Sequence, residues 1–195
     1  MNSAMVPQMG RTVPTRRSQV NRARVRFAVV FASVAGVLLA IYSFPYQEHG
    51  FHETLFSWYL AAYARAAGAV IHLTDPLVRV AGPQIVGRTS LVIAKNCDAM
   101  DVNLLLIAAM IAFPAAWSRR LVGIAAGVAL LSLVNVLRIV TLYHLNVRSP
   151  AAFEFVHGEV WPFAMVSLAV AVFAVWSRWS RPLEAGPAAQ ASADA

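Results

Sequence analysis

The sequence predicts an all-α integral membrane protein with about four transmembrane helices, an interfacial amphipathic helix and a short extended or hairpin segment. Three observations carry that reading. Only 13% of the 195 residues are charged and 59% are hydrophobic, whereas soluble domains carry roughly a quarter charged residues. The apolar residues gather in runs close to the ~20 needed to cross a hydrocarbon core. The basic residues fall between those runs in the manner of the positive-inside rule. The net charge of +7 therefore reads as topology. No aromatic or glycine framework accompanies the arginines, which argues against nucleic acid as a partner and leaves anionic lipid heads as the partner of the basic tail.

Taken in order, residues 1–26 hold Arg11, Arg16, Arg17, Arg22, Arg24 and Arg26 with Pro7 and Pro14, and read as a disordered basic cytoplasmic tail. Residues 27–45 form the first span. A cleaved signal peptide is the rival reading, but its apolar region runs only ~7–15 residues. This one is longer, and no clear small-residue cleavage motif follows it. Residues 46–98 are the longest segment outside the membrane. Within 53–73, Leu55, Trp58, Tyr59, Ala62 and Ala66 recur at helical spacing, predicting an amphipathic helix on the bilayer surface. A fifth span is the alternative, opposed by Arg65, which would cost ~2.5–3.5 kcal/mol at the bilayer centre. Pro76, Gly82, Pro83 and Gly87 among Val and Ile residues predict a hairpin or extended stretch.

The second span is expected at Met100–Trp117, with Trp117–Arg120 as a tight cytoplasmic turn. The third runs over Leu121–Leu145 and contains Gly123 and Gly127, whose spacing permits close helix packing within one chain or between two. A loop over 146–159 leads to the fourth span, Val160–Trp176. An Ala-rich tail, 181–195, is expected to be disordered, leaving 27–180 as the membrane-embedded domain. This arrangement puts both termini in the cytoplasm and 46–98 and 146–159 on the outer face of the cytoplasmic membrane.

Three residues that are distant in sequence reach that outer face. Cys97 is the single cysteine, so no intramolecular disulfide explains it. It stands just ahead of the second span, where Lys95, Arg138 and the start of a helix would favour a thiolate. Asp98 and Asp101 would oppose one, or cap the helix instead. Arg138 lies about 26 Å along the third span from Leu121. An ionisable residue inside a span is a functional candidate by default, and Asn135 shares its face. His157, with Glu154 and Glu159 nearby, has a pKa of ~6.5 in isolation, suited to proton transfer. The plain alternatives are a packing cysteine, an arginine snorkelling to the interface and an exposed loop histidine. His49, His52, His72 and His144 compete with His157, but no HxxxH or HExxH spacing points to a metal.

The stretches NCDAMDVNLLLIAAMIAFP, NVLRIV and FEFVHGEVW together resemble the exosortase/archaeosortase family of membrane cysteine transpeptidases, in order and spacing, across about residues 90–175. The resemblance implies a cysteine enzyme that cleaves C-terminal sorting signals (a short motif, a transmembrane helix and a basic tail) from exported proteins, without a cofactor. It implies Cys97 as nucleophile, His157 as general base and acid, and Arg138 as stabiliser of the oxyanion or thiolate. Ala99 stands where many members have glycine, and many relatives carry more spans. Two other readings compete. One is a non-enzymatic scaffold binding partner helices through Arg138 and Asn135, and the other is a small transporter. The second is disfavoured because the polar residues cluster at one face rather than lining the midplane.

Overall fold

The computed structural model describes residues 16–43, 51–94 and 97–180, with side chains from 19 and 55 onward in the first two segments. The elements follow as α1 (Arg16–Ser43), α2 (Phe51–Ile71), β1 (Arg79–Ala81), β2 (Gln84–Val86), β3 (Ser90–Val92), α3 (Met100–Ala112), α4 (Trp117–Arg148), α5 (Pro150–Phe155), a π-helical turn (Val156–Val160) and α6 (Trp161–Ser180). Among the described residues, three helical stretches are long and apolar enough to cross a membrane: Gln19–Ser43, Trp117–Arg148 and Pro150–Ser180. The helical class stands, and these three helices fit a membrane protein by length and composition.

Several boundaries differ from the expectations, each for a local reason. Residues 16–26, expected to be disordered, already belong to α1. The arginines there are good helix formers and extend the apolar helix beyond its hydrophobic end. The rest of the basic tail, Lys95 and the tail over 181–195 lie outside the described residues. The second expected span is shortened to the 13 residues of α3, about 20 Å of helix. Pro114 disfavours helical geometry at Phe113, which is extended at φ −74° and ψ 135°. Trp117–Arg120 is consequently not the turn; Phe113–Ala116 makes the connection, and Trp117 opens α4. The expected loop over 146–159 is also mostly helix. The break falls at Ser149, whose hydroxyl accepts the Ala152 N–H at the head of α5, with Pro150 at the first helical position. That pair is a favoured helix start.

The amphipathic helix expected over 53–73 corresponds to α2. It packs on α4 and on β1 and β2, while Leu55 and Trp58 stay exposed and Arg65 lies over the Trp58 ring. The stretch marked by prolines and glycines is a three-stranded antiparallel sheet in the order β1-β2-β3, with Ala81 opposite Gln84 and Val86 opposite Ser90. The β2–β3 turn meets α4 at Gly87, where a Cβ would overlap the Tyr143 hydroxyl and crowd Val78. Tyr143 donates to the buried Asp75 carboxylate at 2.7 Å, so this glycine lets the sheet close over a buried polar pair.

Two apolar clusters flank α4. One joins Leu60, Tyr63, Ala64, Ala67 and Ile71 of α2 to Ile85 of the sheet and to Ile139 and Tyr143. The other joins Leu106 and Met110 of α3 to Leu131 and to Met165, Ala169 and Trp176 of α6. Here Gly123 receives the Trp176 indole and Gly127 the Leu106 side chain, so both glycines are used inside one chain. The Trp176 indole N–H donates to the Arg119 carbonyl at 3.0 Å.

Candidate functional site

The site assembles where the chain enters α3, beneath the second half of α4. The Cys97 N–H donates to the Ala94 carbonyl at 2.8 Å, closing a turn. Asn135 of α4 then donates through Nδ2 to the Cys97 carbonyl at 2.9 Å. Asn135 is fully buried, so this bond holds the cysteine backbone against α4 where water cannot compete. The next residue, Asp98, is 1% exposed. Its carboxylate accepts the Met100 N–H at 2.9 Å and the Tyr42 hydroxyl of α1 at 3.0 Å, and the Tyr59 hydroxyl of α2 lies 3.3 Å from its carbonyl. The turn carrying Cys97 is thus gripped by α1, α2 and α4 together.

Ala99 completes the entry to α3 with φ 56° and ψ 18°, left-handed geometry that costs an L-residue roughly 1–2 kcal/mol. Glycine adopts it freely. An alanine at this position therefore leaves the backbone strained just before α3.

His157 approaches from the other side. It sits in the π-helical turn rather than in a loop, and its Nε2 is 3.2 Å from the Cys97 sulfur. Its ring stacks on Phe153 at 5.4 Å between centroids, with 16° between planes. Pro162 accounts for the wide turn. Lacking an N–H, it cannot bond to the Gly158 carbonyl and crowds it, and the helix relaxes by pairing the Trp161 N–H with Val156. Such turns recur at functional sites. Sequence reasoning passed over this signal, a proline five residues after the histidine.

Arg138 is 5% exposed, which excludes the snorkelling alternative. Its positive charge acts on the Cys97 thiol. Burial pushes that thiol above its ordinary pKa, Arg138 pulls it back, and the neighbouring Asp98 adds a smaller push upward; the balance lies above the ordinary value. Burial likewise raises the Asp98 carboxyl, against the bonds from Met100 and Tyr42. The raised thiol favours its neutral form at rest, and its Sγ–H can donate to His157 Nε2 in the tautomer that leaves that nitrogen unprotonated.

The structure thus brings Cys97 and His157 into contact, ties Asn135 to the Cys97 backbone and buries Arg138 within electrostatic reach. Glu154 and Glu159 are exposed. His72 is exposed, and His144 is engaged with Thr74 at 3.1 Å. The side chains of His49 and His52 lie outside the described residues. Among the described residues, no group of three His, Cys, Asp or Glu side chains is arranged to hold a metal. Sequence reasoning names Tyr59 only in the stripe of the amphipathic helix and Asp98 only as a helix cap or a charge opposing the thiolate, and does not single out Tyr42, since their convergence spans up to 56 positions. In comparisons with protein-family models, curated proteins and solved structures, nothing matches this chain.

Proposed function

We propose that this chain is a membrane-embedded cysteine peptidase or transpeptidase of the exosortase/archaeosortase type, acting on exported proteins that end in a C-terminal sorting signal. The observation that carries the reading is the 3.2 Å contact between the Cys97 sulfur and His157 Nε2, made by residues 60 positions apart. A nucleophile within hydrogen-bond reach of its base is the minimal unit of covalent acyl-transfer chemistry. In this reading His157 takes the Sγ proton as the sulfur attacks the scissile carbonyl. Arg138 stabilises the negative charge that develops on the carbonyl oxygen. As the C–N bond breaks, His157 returns the proton to the leaving amine, and the resulting thioester passes to water or an acceptor amine.

The topology proposed with it has four crossings, α3 being the short one, so that both termini are cytoplasmic and the thiol faces outward. A scaffold role through Arg138 and Asn135 receives less support. Both side chains are buried within the chain, and Asn135 is already bonded to Cys97.

The test is co-expression with an exported protein bearing such a signal. Wild-type protein should shorten it, and Cys97→Ala, His157→Ala and Arg138→Ala should leave it full length at unchanged enzyme abundance. Processing that persists in Cys97→Ala would falsify the reading.

A further inference from the structure

A second polar feature lies away from the thiol. A cavity of about 530 Å³ opens beside the Ser149 end of α4, walled by Thr141, His144 and Arg148 of the helix and by Thr74 and Arg88 of the segments around the sheet. A 32-residue helix rising 1.5 Å per residue is about 48 Å long, against a hydrocarbon core of ~30 Å. In the topology proposed above, on which this placement rests, the excess length carries the last turns of α4, and this cavity with them, to head-group depth on the outer side.

The charges in the cavity select the sign of its ligand. Asp75 is 2% exposed and fully engaged: it accepts from the Leu77 N–H at 3.2 Å, the Arg88 N–H at 3.3 Å and the Tyr143 hydroxyl at 2.7 Å. The Tyr143 bond leads in holding its carboxyl below the usual range, so it stays ionised and is no open cation ligand. Thr74 donates its hydroxyl proton to the Ile71 carbonyl, so His144 must donate to Thr74 through Nε2, which commits it locally. The remaining strong donors are two arginines. Arg88 reaches Asp75 only at 3.8 Å, with 62% of its side chain exposed, and Arg148 is exposed at the helix end. The aliphatic part of the lining comes from Leu145 and Val147 of α4, and Leu73 and Leu77, which flank Thr74–Pro76 in sequence, are 82% and 71% exposed. A small free anion has no use for such an apolar rim, whereas a lipid does.

We propose that this cavity binds the phosphate of an anionic phospholipid, with Arg88 and Arg148 on the phosphate oxygens and the apolar lining at Leu145 and Val147 towards the acyl chains. Basic pockets between transmembrane helices bind anionic head groups on the cytoplasmic side of membranes, and the same charge chemistry is available here on the outer side. The site is independent of Cys97, and Cys97→Ala protein should show it unchanged.

The test is thermal unfolding of the purified full chain in a neutral detergent with added phosphatidylglycerol, phosphatidylcholine or inorganic phosphate. Phosphatidylglycerol should raise the Tm by roughly 3–6 °C over phosphatidylcholine. The Arg88→Gln/Arg148→Gln protein should lose that gain, Arg148→Gln alone should lose about half of it, and Arg79→Gln, an exposed arginine of β1, should keep it. Equal shifts with the two lipids, or a full shift in Arg148→Gln and in the double variant, would overturn the proposal. A full shift with inorganic phosphate alone would overturn the lipid assignment and leave a free-anion site.

Discussion

The two halves of α4 bury the same stripe of the helix with opposite chemistry. From the Trp117 end, the buried positions Gly123, Gly127 and Leu131 recur every fourth residue and meet only apolar or aromatic partners. The stripe continues through Asn135, Arg138, Ile139, Leu142 and Tyr143, but three of these five are polar or carry a polar tip. The first half is a packing surface, where space is the limiting quantity. In the second half hydrogen bonds are, because a buried polar group without a partner costs about 1–3 kcal/mol. One continuous helix thus supplies both a rigid base and the frame of the site. The two halves should respond to substitution in different observables.

The sharpest break is expected at the thiol. Cys97→Ala or His157→Ala should lower substrate processing by at least about a thousandfold, with thermal stability close to wild type. Equal losses in Tm and activity would mean that the pair is structural. Next comes Asn135→Leu, which keeps the branched side-chain shape, with bulkier methyl groups, and removes the donor to the Cys97 carbonyl. Processing should fall roughly 10–100-fold as the nucleophile loses its aim, and stability should drop by about 1–3 kcal/mol. An unchanged rate would dissolve the distinction drawn for the second half of α4.

In the first half the effect should be on stability alone. Gly123→Ala places a methyl group against the Trp176 indole, itself held by the Arg119 carbonyl. Destabilisation by about 1–3 kcal/mol is expected, with the remaining folded protein fully active. A variant with normal Tm but lost activity would reverse the assignment.

The pH response of the free thiol sharpens the electrostatic side. Because burial outweighs Arg138 and holds Cys97 above its ordinary pKa, only the minor thiolate form reacts near neutrality. Alkylation by iodoacetamide should therefore keep rising with pH through the range where an ordinary thiol levels off. A plateau below pH 8 would show instead that a thiolate is already present in the resting protein.

The smallest effect is expected at Ala99→Gly. Relief of left-handed strain, roughly 1 kcal/mol, is offset by about 0.4–1 kcal/mol of added freedom in the unfolded chain. Stability should stay within about 0.5 kcal/mol of wild type. A larger loss would show that the alanine methyl, buried in the α3–α6 cluster, matters more than the backbone.

How much was legible in advance follows from the range of each interaction. The helical membrane class, α2 as an amphipathic helix and the extended stretch before Cys97 all depend on composition and local periodicity, which a linear reading captures. The departures from expectation also have local causes: Pro114 ends α3, the Ser149–Pro150 pair starts α5, and Pro162 widens the turn that carries His157.

Cys97, Arg138 and His157 were named from sequence as residues sharing one face, by residue type, depth and family resemblance. The sequence alone determined the apolar runs, the charge pattern and the chemical types present, but not the length of the second expected span. Tertiary structure decided the rest: that His157 reaches the sulfur, that Asn135 binds the Cys97 carbonyl instead of a partner helix, that Tyr42 and Tyr59 grip Asp98, and that Arg138 is buried. Periodicity tells which side of a helix faces inward, but not which residue of another helix it meets. That depends on the rotation and offset of whole packed helices, and those are settled only when the glycines, the indole and the buried hydrogen bonds are satisfied together.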